Sequence, residues 1–288
     1  MVFKNYIVPI DFSDYSLNGL SLALLFSKQA YANIQMVYVQ KKSTDYYPSN
    51  RDAEKHYAER KFHEVLEKYT PKLKNDSRLR YIIKSGKIYR EIVNQAQSYK
   101  DSIIIASTHG ASGFEEFFIG SNTYKMISVT SRPVITIRKG KCPQSIKKIV
   151  MPIEIRGDSR QKVPFTAELA SFFNAEIHIL GTHISRSKVT VSRVRGYCRQ
   201  VANFLQKKAR YTSNEVFGDS MSDLVVNYAN SVKADLISIM SEQGSGISLI
   251  LGNNAHLVLN KSEIPVLCNS PRELTISGTF KTFGGYPP

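Results

Sequence analysis

The sequence predicts an α/β protein of two tandem doubly wound domains. Each is a parallel five-stranded sheet of strand order 3-2-1-4-5 with helices on both faces. Three observations lead there. The chain, at 288 residues, has room for two domains. It repeats itself. Each repeat alternates short, almost continuously apolar runs with longer amphipathic ones, the pattern of buried parallel strands joined by helices.

The repeat is read from spacing. KNYIVPIDFSD (4–14) is matched by KKIVMPIEIRG (147–157), which places Glu154 opposite Asp11 at a separation of 143. IQMVYVQ (34–40) faces IHILGTH (177–183) at the same separation. Later the separation is 132, pairing Gly86 with Gly218, Gly120 with Gly252, and Pro133-Val134 with Pro265-Val266. Eleven residues are therefore missing from the second copy between positions equivalent to 40 and 86. The expected domains are 1–140 and 145–271, joined by the polar, Pro-containing KGKCPQSIKK (139–148). A C-terminal extension, 272–288, has no counterpart after repeat 1.

In repeat 1, YIVPI (6–10) reads as the first strand. Ser13 is placed to cap a helix, with Asp14 in its first turn and apolar spacing continuing to about Ala30. IQMVYV (34–39) is the second strand. Arg51 to Tyr69 is a charged surface helix with an apolar stripe of Tyr57, Phe62, Val65 and Leu66. LRYIIK (79–84) is the third strand, followed by Gly86 and a helix from Tyr89 to Tyr99. SIIIAS (102–107) is the fourth strand. A loop, a helix from Ser121 to Thr130, and a last strand after Pro133 complete the unit.

Ligands of such sheets bind beyond the strand carboxyl ends, where the strand order reverses. That point lies between strands one and four. Strand one ends in Pro9-Ile10-Asp11, and strand four in Ser107-Thr108-His109-Gly110. The chain returns there at Gly120-Ser121-Asn122. Glycines admit a close anion, and a helix beginning at Ser121 presents unbonded N–H groups. A carboxylate opposite suits ribose hydroxyls. Each feature also has a plain alternative: Asp11 opens a turn, the glycines serve a loop, and Gly120 starts a helix.

These residues carry a resemblance. Ser107-x2-Gly110-x9-Gly120-Ser121 resembles the ATP-binding signature of universal stress proteins, with Ser107 at the first glycine position. Arg132-Pro133-Val134 and Pro9-Ile10-Asp11-Phe12-Ser13 are also similar to that family's motifs, and the likeness spans roughly 1–140 and 145–270. The resemblance implies that Asp11, with Pro9 and Ile10, and Val39 face the adenosine. It implies that Ser107, Thr108, His109, Gly110, Gly120, Ser121 and Asn122 hold ribose and phosphates, with ATP as ligand, alone or with Mg2+. In repeat 2, alignment on Gly252 puts Ile239, Glu242 and Asn253 at Ser107, Gly110 and Ser121. A carboxylate among phosphates is repulsive, so repeat 2 is expected not to bind ATP in this manner.

Composition bounds the rest. The formal charge is +15, but Lys and Arg exceed Asp and Glu in both halves, 22 to 13 over residues 1–144 and 17 to 11 after them. A spread charge without an aromatic-interleaved basic motif argues against nucleic acid. No apolar run approaches membrane length, and the N-terminus does not read as a signal peptide. Three isolated cysteines fit the cytoplasm. With no GxxxxGK[ST] and no paired carboxylates, the reading is a non-enzymatic, or very slowly hydrolysing, ATP-binding regulator of the stress response with an unknown protein partner. The alternative is a nucleotide-free scaffold. Family members tend to dimerise through the last strand; here Val134–Ile137 is expected to pair with Val266–Cys268 within the chain, with a homodimer as a further possibility.

Residues 1–144 expressed alone should therefore self-associate, since an open strand edge seeks a partner. Analytical ultracentrifugation checks this; a monomer at high concentration contradicts the pairing.

Overall fold

The computed structural model describes residues 3–40, 49–108, 119–138, 142–241 and 253–270. The chain divides into two compact units between Gln144 and Ser145.

In the first unit β1 (Asn5–Pro9), α1 (Asp14–Ser27), β2 (Asn33–Gln40), α2 (Ser49–Tyr69), β3 (Arg78–Ser85), α3 (Ile88–Gln97), β4 (Ser102–Ser107), α4 (Ser121–Val129) and β5 (Val134–Ile137) follow in turn. The strands are parallel in the order β3-β2-β1-β4-β5. Tyr6, Ile7, Val8 and Ile103–Ile105 are fully buried, as central strands covered on both faces must be. Removing each such side chain from water contributes about 1.5–3 kcal/mol. Right-handed crossovers send α1 and α2 to one face and α3 and α4 to the other.

Local signals explain the boundaries. Ser13 caps α1 by accepting from the Ser16 N–H. Helix α2 buries Ala58, Phe62, Val65 and Tyr69, a stripe at helical spacing. The expected stripe is thereby corrected: Tyr57 is exposed and Leu66 only half-buried, because the buried face lies one position further round the helix. Amide ends of strands are tied by polar side chains: Asn5 Nδ2 donates to Asp101 Oδ1 at 2.8 Å and Asn33 Nδ2 to Asn5 Oδ1 at 2.8 Å.

The second unit repeats the plan with β6 (Lys148–Ile153), α5 (Val163–Phe173), β7 (Glu176–His183), α6 (Lys188–Leu205), β8 (Arg210–Phe217), α7 (Met221–Ser231), β9 (Leu236–Met240), α8 (Asn253–Lys261) and β10 (Val266–Asn269). Its parallel strand order is β8-β7-β6-β9-β10. Register relates the two units strand by strand. Asn33 pairs with Arg78, and Glu176, 143 positions on, pairs with Arg210, 132 positions on. Strand β9 is one residue out of step with the alignment on Gly252. Tyr6 pairs with Ile103 but Ile149 with Leu236, and Ser107 with Ile137 but Met240 with Asn269. The counterpart of Ser107 is thus Met240, not Ile239. The β9–α8 connection is one residue shorter than the β4–α4 connection.

Candidate functional site

The site is built where β1 and β4 part. Their pairing ends at Ile7↔Ile104, while β1 continues beside β2 to Pro9↔Val37, and Ile10 N donates to Val37 O at 2.9 Å. A crevice therefore opens at the strand carboxyl ends, at the reversal of strand order.

One wall is the β1–α1 turn. Phe12 adopts φ +65, a left-handed conformation uncommon for a bulky residue. Its ring explains why it persists. It stacks on Tyr38 at 5.3 Å and meets Phe62 edge-on at 4.9 Å. With the backbone turned there, Asp11 Oδ1 accepts from Ser13 N at 3.1 Å and from Ser13 Oγ at 2.5 Å. Ser16 Oγ accepts from Asp11 N at 3.3 Å. Asp11 does open the turn, as its plain alternative has it, and its carboxylate is also exposed at the crevice end of β1. Pro9 and Val39 are half-buried and Ile10 is buried.

The other wall is the end of β4 with the start of α4. Ser107 and Thr108 are buried. Thr108 N donates to Ile137 O at 3.0 Å, holding the strand end to β5. Gly120 N donates to Thr108 O at 2.6 Å, and a Cβ on Gly120 would stand 3.0 Å from that same oxygen. Glycine is favoured here by this close approach, since a Cβ would have to push the Thr108 carbonyl aside by a few tenths of an ångström. Thr123 Oγ1 adds a second tie, donating to Ser107 O at 2.9 Å. Together they pin the amino end of α4 against β4. Among the described residues no side chain caps this helix; Ser121 is exposed and Asn122 half-buried. The first turn of α4 thus offers N–H groups and a positive dipole end. Lys125 is exposed, with Nζ 5.8 Å from the Tyr89 ring centre, directed towards α3. His109 and Gly110 lie outside the described residues.

Repeat 2 keeps the turn but changes its chemistry. Ser159 Oγ accepts from Glu154 N at 3.4 Å, as Ser16 does from Asp11. A short 3-10 turn, Gly157–Arg160, then replaces the first turn of helix. Lys162 stands at the place held in repeat 1 by Gly19, where an added Cβ would lie 3.4 Å from Ile105 O, in ordinary contact. The Lys162 side chain is fully buried, its ammonium donating to Ser159 O with the carboxylates of Glu154 and Asp158 nearby. Burial pushes its pKa down to about 8, against the pull of those carboxylates. Repeat 2 has a buried internal cation beneath the end of its first strand. Glu242 and Gly252 lie outside the described residues, and of Asn253 only the backbone, opening α8, is described.

Three contributors were not singled out from sequence. Phe12 carried no signal, since nothing in PIDFS marks a positive φ. Thr123 lies one helical turn from Gly120 and was visible only as part of the helix. Lys162 was legible by laying one repeat on the other.

A doubly wound α/β unit with a crevice between a carboxylate turn and a helix start defines the class, and the chain carries a second, modified copy of it. Comparison with known proteins gives the class its name. The chain matches the Universal stress protein family over residues 3–138 and again over 145–269, and it belongs to that family. It is 24% identical over 148 residues to the universal stress protein YxiE of Bacillus subtilis (strain 168), covering 48% of this chain and all of that protein. Its fold is similar to that of a universal stress protein from Archaeoglobus fulgidus DSM 4304, with TM-score 0.75, 18% identity, and coverage of 93% and 98% of the two chains. A putative universal stress protein from Pseudomonas aeruginosa UCBPP-PA14 matches with TM-score 0.63 at 17% identity, over 94% and 95%. No helix among the described residues is long and apolar enough to cross a membrane.

Lys162 supplies a pH-dependent test. The unfolded chain keeps this proton up to about pH 10.5, whereas the native chain releases it near pH 8. Between those values the unfolded state binds more protons, so stability rises with pH. Relative to Lys162→Met, which lacks this titration, the parent should gain roughly 3 kcal/mol of stability between pH 7 and pH 10.5, at about 1.4 kcal/mol per pKa unit. Urea unfolding of both full-length chains at pH 7 and pH 10 checks this; a stability difference between them that does not change with pH contradicts it.

Proposed function

We propose that this chain is an adenine-nucleotide-binding regulator of the stress response, with its site in repeat 1 and either no catalytic turnover or very slow ATP hydrolysis. One observation carries the reading. The parted ends of β1 and β4 are flanked by an exposed carboxylate, Asp11, and by the start of α4, pinned through Gly120. Asp11 and Val39 receive the nucleoside. Backbone N–H groups and the hydroxyl of Ser121 receive the phosphates, together with the Ser107–Gly110 segment. Family membership supports the stress-response role.

Hydrolysis would need a group to orient water or neutralise the leaving phosphate. Lys125, the cation one turn into α4, is directed at Tyr89 instead. Repeat 2 has Glu154 for Asp11, and a buried ammonium where repeat 1 has a glycine. These features support one nucleotide per chain in a crevice of this kind, with none between β6 and β9.

Ser121→Glu separates binding from folding. A carboxylate at the first helical position favours the helix dipole but opposes phosphate. The variant should remain as stable as the parent and bind ATP at least tenfold more weakly, about 1.4 kcal/mol. Calorimetric titration with and without magnesium reads affinity and stoichiometry together. One site in the parent, weakened in Ser121→Glu, is the expected result. Unchanged affinity or two equivalent sites contradict the assignment, and no binding at all leaves the scaffold reading.

A further inference from the structure

The two repeats also differ outside the nucleotide crevice, on the outer two strands of each unit. In repeat 1, α2 is sealed to β2 and β3 by aromatic side chains. Tyr81 stacks on Phe62 of α2 at 4.5 Å with the rings 9° apart. Tyr38 stacks on Phe12 and donates to Glu54 Oε1 of α2 at 2.8 Å. The strand register identifies their counterparts. Tyr38 pairs with Ile83 as Gly181 pairs with Glu215, and Met36 pairs with Tyr81 as Ile179 pairs with Ser213. Both tyrosines are therefore lost in repeat 2, one to glycine and one to serine.

What the lost rings leave is a groove of about 710 Å3 between α6 and β8. Ser213, Glu215 and Phe217, alternate residues of β8, form its floor. One face of α6 forms its wall, and Cys198 Sγ would stand 3.3 Å from a Cβ on Gly181. Without that Cβ the helix comes down onto β7 at the groove's inner edge. The volume is that of a small-molecule site.

The groove is strongly cationic. Arg186, Lys188, Arg195 and Arg199 line it against one carboxylate, Glu215. Arg195 is committed to that carboxylate through three contacts of 2.9–3.1 Å. Arg186, Lys188 and Arg199 form no ion pair among the described residues. Three cations without a carboxylate partner thus line one pocket, and the Arg186 guanidinium lies 5.8 Å from the centre of the Phe217 ring. Its floor also carries an aromatic platform. Phe217 is 39% exposed and stacks on His183 at 4.5 Å with the rings 15° apart. His183 is itself 3% exposed, and neither ring nitrogen has a hydrogen-bond partner among the described residues, Nε2 lying 3.7 Å from Glu215. A buried polar ring without hydrogen bonds costs stability. Here it lies directly under the groove.

We propose that the α6–β8 groove of repeat 2 is a second ligand site, which takes a small organic phosphate carried on a planar ring. The phosphate is held by Arg186, Lys188 and Arg199, and the ring lies against Phe217. The site is independent of the crevice in repeat 1. It gives the second copy a binding role of its own, created by removing two side chains that the first copy uses as packing.

The probe is phenyl phosphate, titrated calorimetrically into the full-length chain beside inorganic phosphate and phenol. Phenyl phosphate should bind at least tenfold more tightly than either fragment. Ser213→Tyr restores the ring that repeat 1 has at this position and should lower phenyl phosphate affinity at least tenfold without lowering the unfolding midpoint. Arg199→Ala, on the exposed helix face and safe for folding, should weaken it several-fold and leave phenol unaffected. Ser121→Glu, which weakens ATP in the repeat 1 crevice, should leave the phenyl phosphate affinity of this groove as it is in the parent. Equal affinity for inorganic phosphate reveals a non-selective basic surface and overturns the proposal. So does binding that survives both Ser213→Tyr and Arg199→Ala, or that is lost in Ser121→Glu, or no binding by the parent.

Discussion

The early parting of β1 and β4 is the constraint on which the functional reading depends. Helices attached to the first and fourth strands of a doubly wound sheet leave on opposite faces, so neither covers the gap between the strand ends. Three backbone-level ties then decide what the gap presents. The Gly120 N–H on Thr108 O brings a helix start to it, and the Thr123 hydroxyl on Ser107 O keeps it there. Phe12, held in the left-handed region by Tyr38 and Phe62, turns the chain so that Asp11 faces solvent at the other side. Few side chains are needed, because the fold supplies most of the geometry and the backbone supplies the donors.

Duplication relaxes that constraint in one copy. Repeat 2 preserves the plan down to the serine that accepts from the carboxylate residue's N–H, yet buries a lysine where the other copy has glycine. A buried ammonium lowers stability and persists where it is hydrogen-bonded and faces carboxylates, as Lys162 does. The same copy has exchanged Tyr38 and Tyr81 for Gly181 and Ser213 on its outer two strands, β7 and β8. Both changes are large in volume and charge and leave the strands unmoved in register. The sheet tolerates them because its stability rests on the central, fully buried strands.

Much of this was legible before the structure. Strand positions came from apolar runs bounded by Gly and Pro, and all five strands of repeat 1 fall within a residue or two of the expected spans. Ser13 as a cap and Gly120 as a helix start followed from residue chemistry. Other features were hidden for physical reasons. The buried face of α2 was misjudged because Tyr57 is amphipathic enough to sit outside, while Ala58 is too small to stand out. The one-residue shift in β9 was invisible because the glycines used to align the repeats lie beyond the strand, whereas hydrogen-bond register fixes the strand itself. The positive φ of Phe12 depends on rings distant in sequence, from Tyr38 and Phe62.

The central claim is that the crevice between β1 and β4 binds adenine nucleotide while its copy does not. A crystal structure of the full-length chain grown with ATP and magnesium tests it most directly. The account predicts one nucleotide per chain, with phosphates on the N–H groups of Ser121 and Asn122 and ribose towards Asp11. A nucleotide between the ends of β6 and β9, or one in repeat 1 that avoids the start of α4, would contradict it.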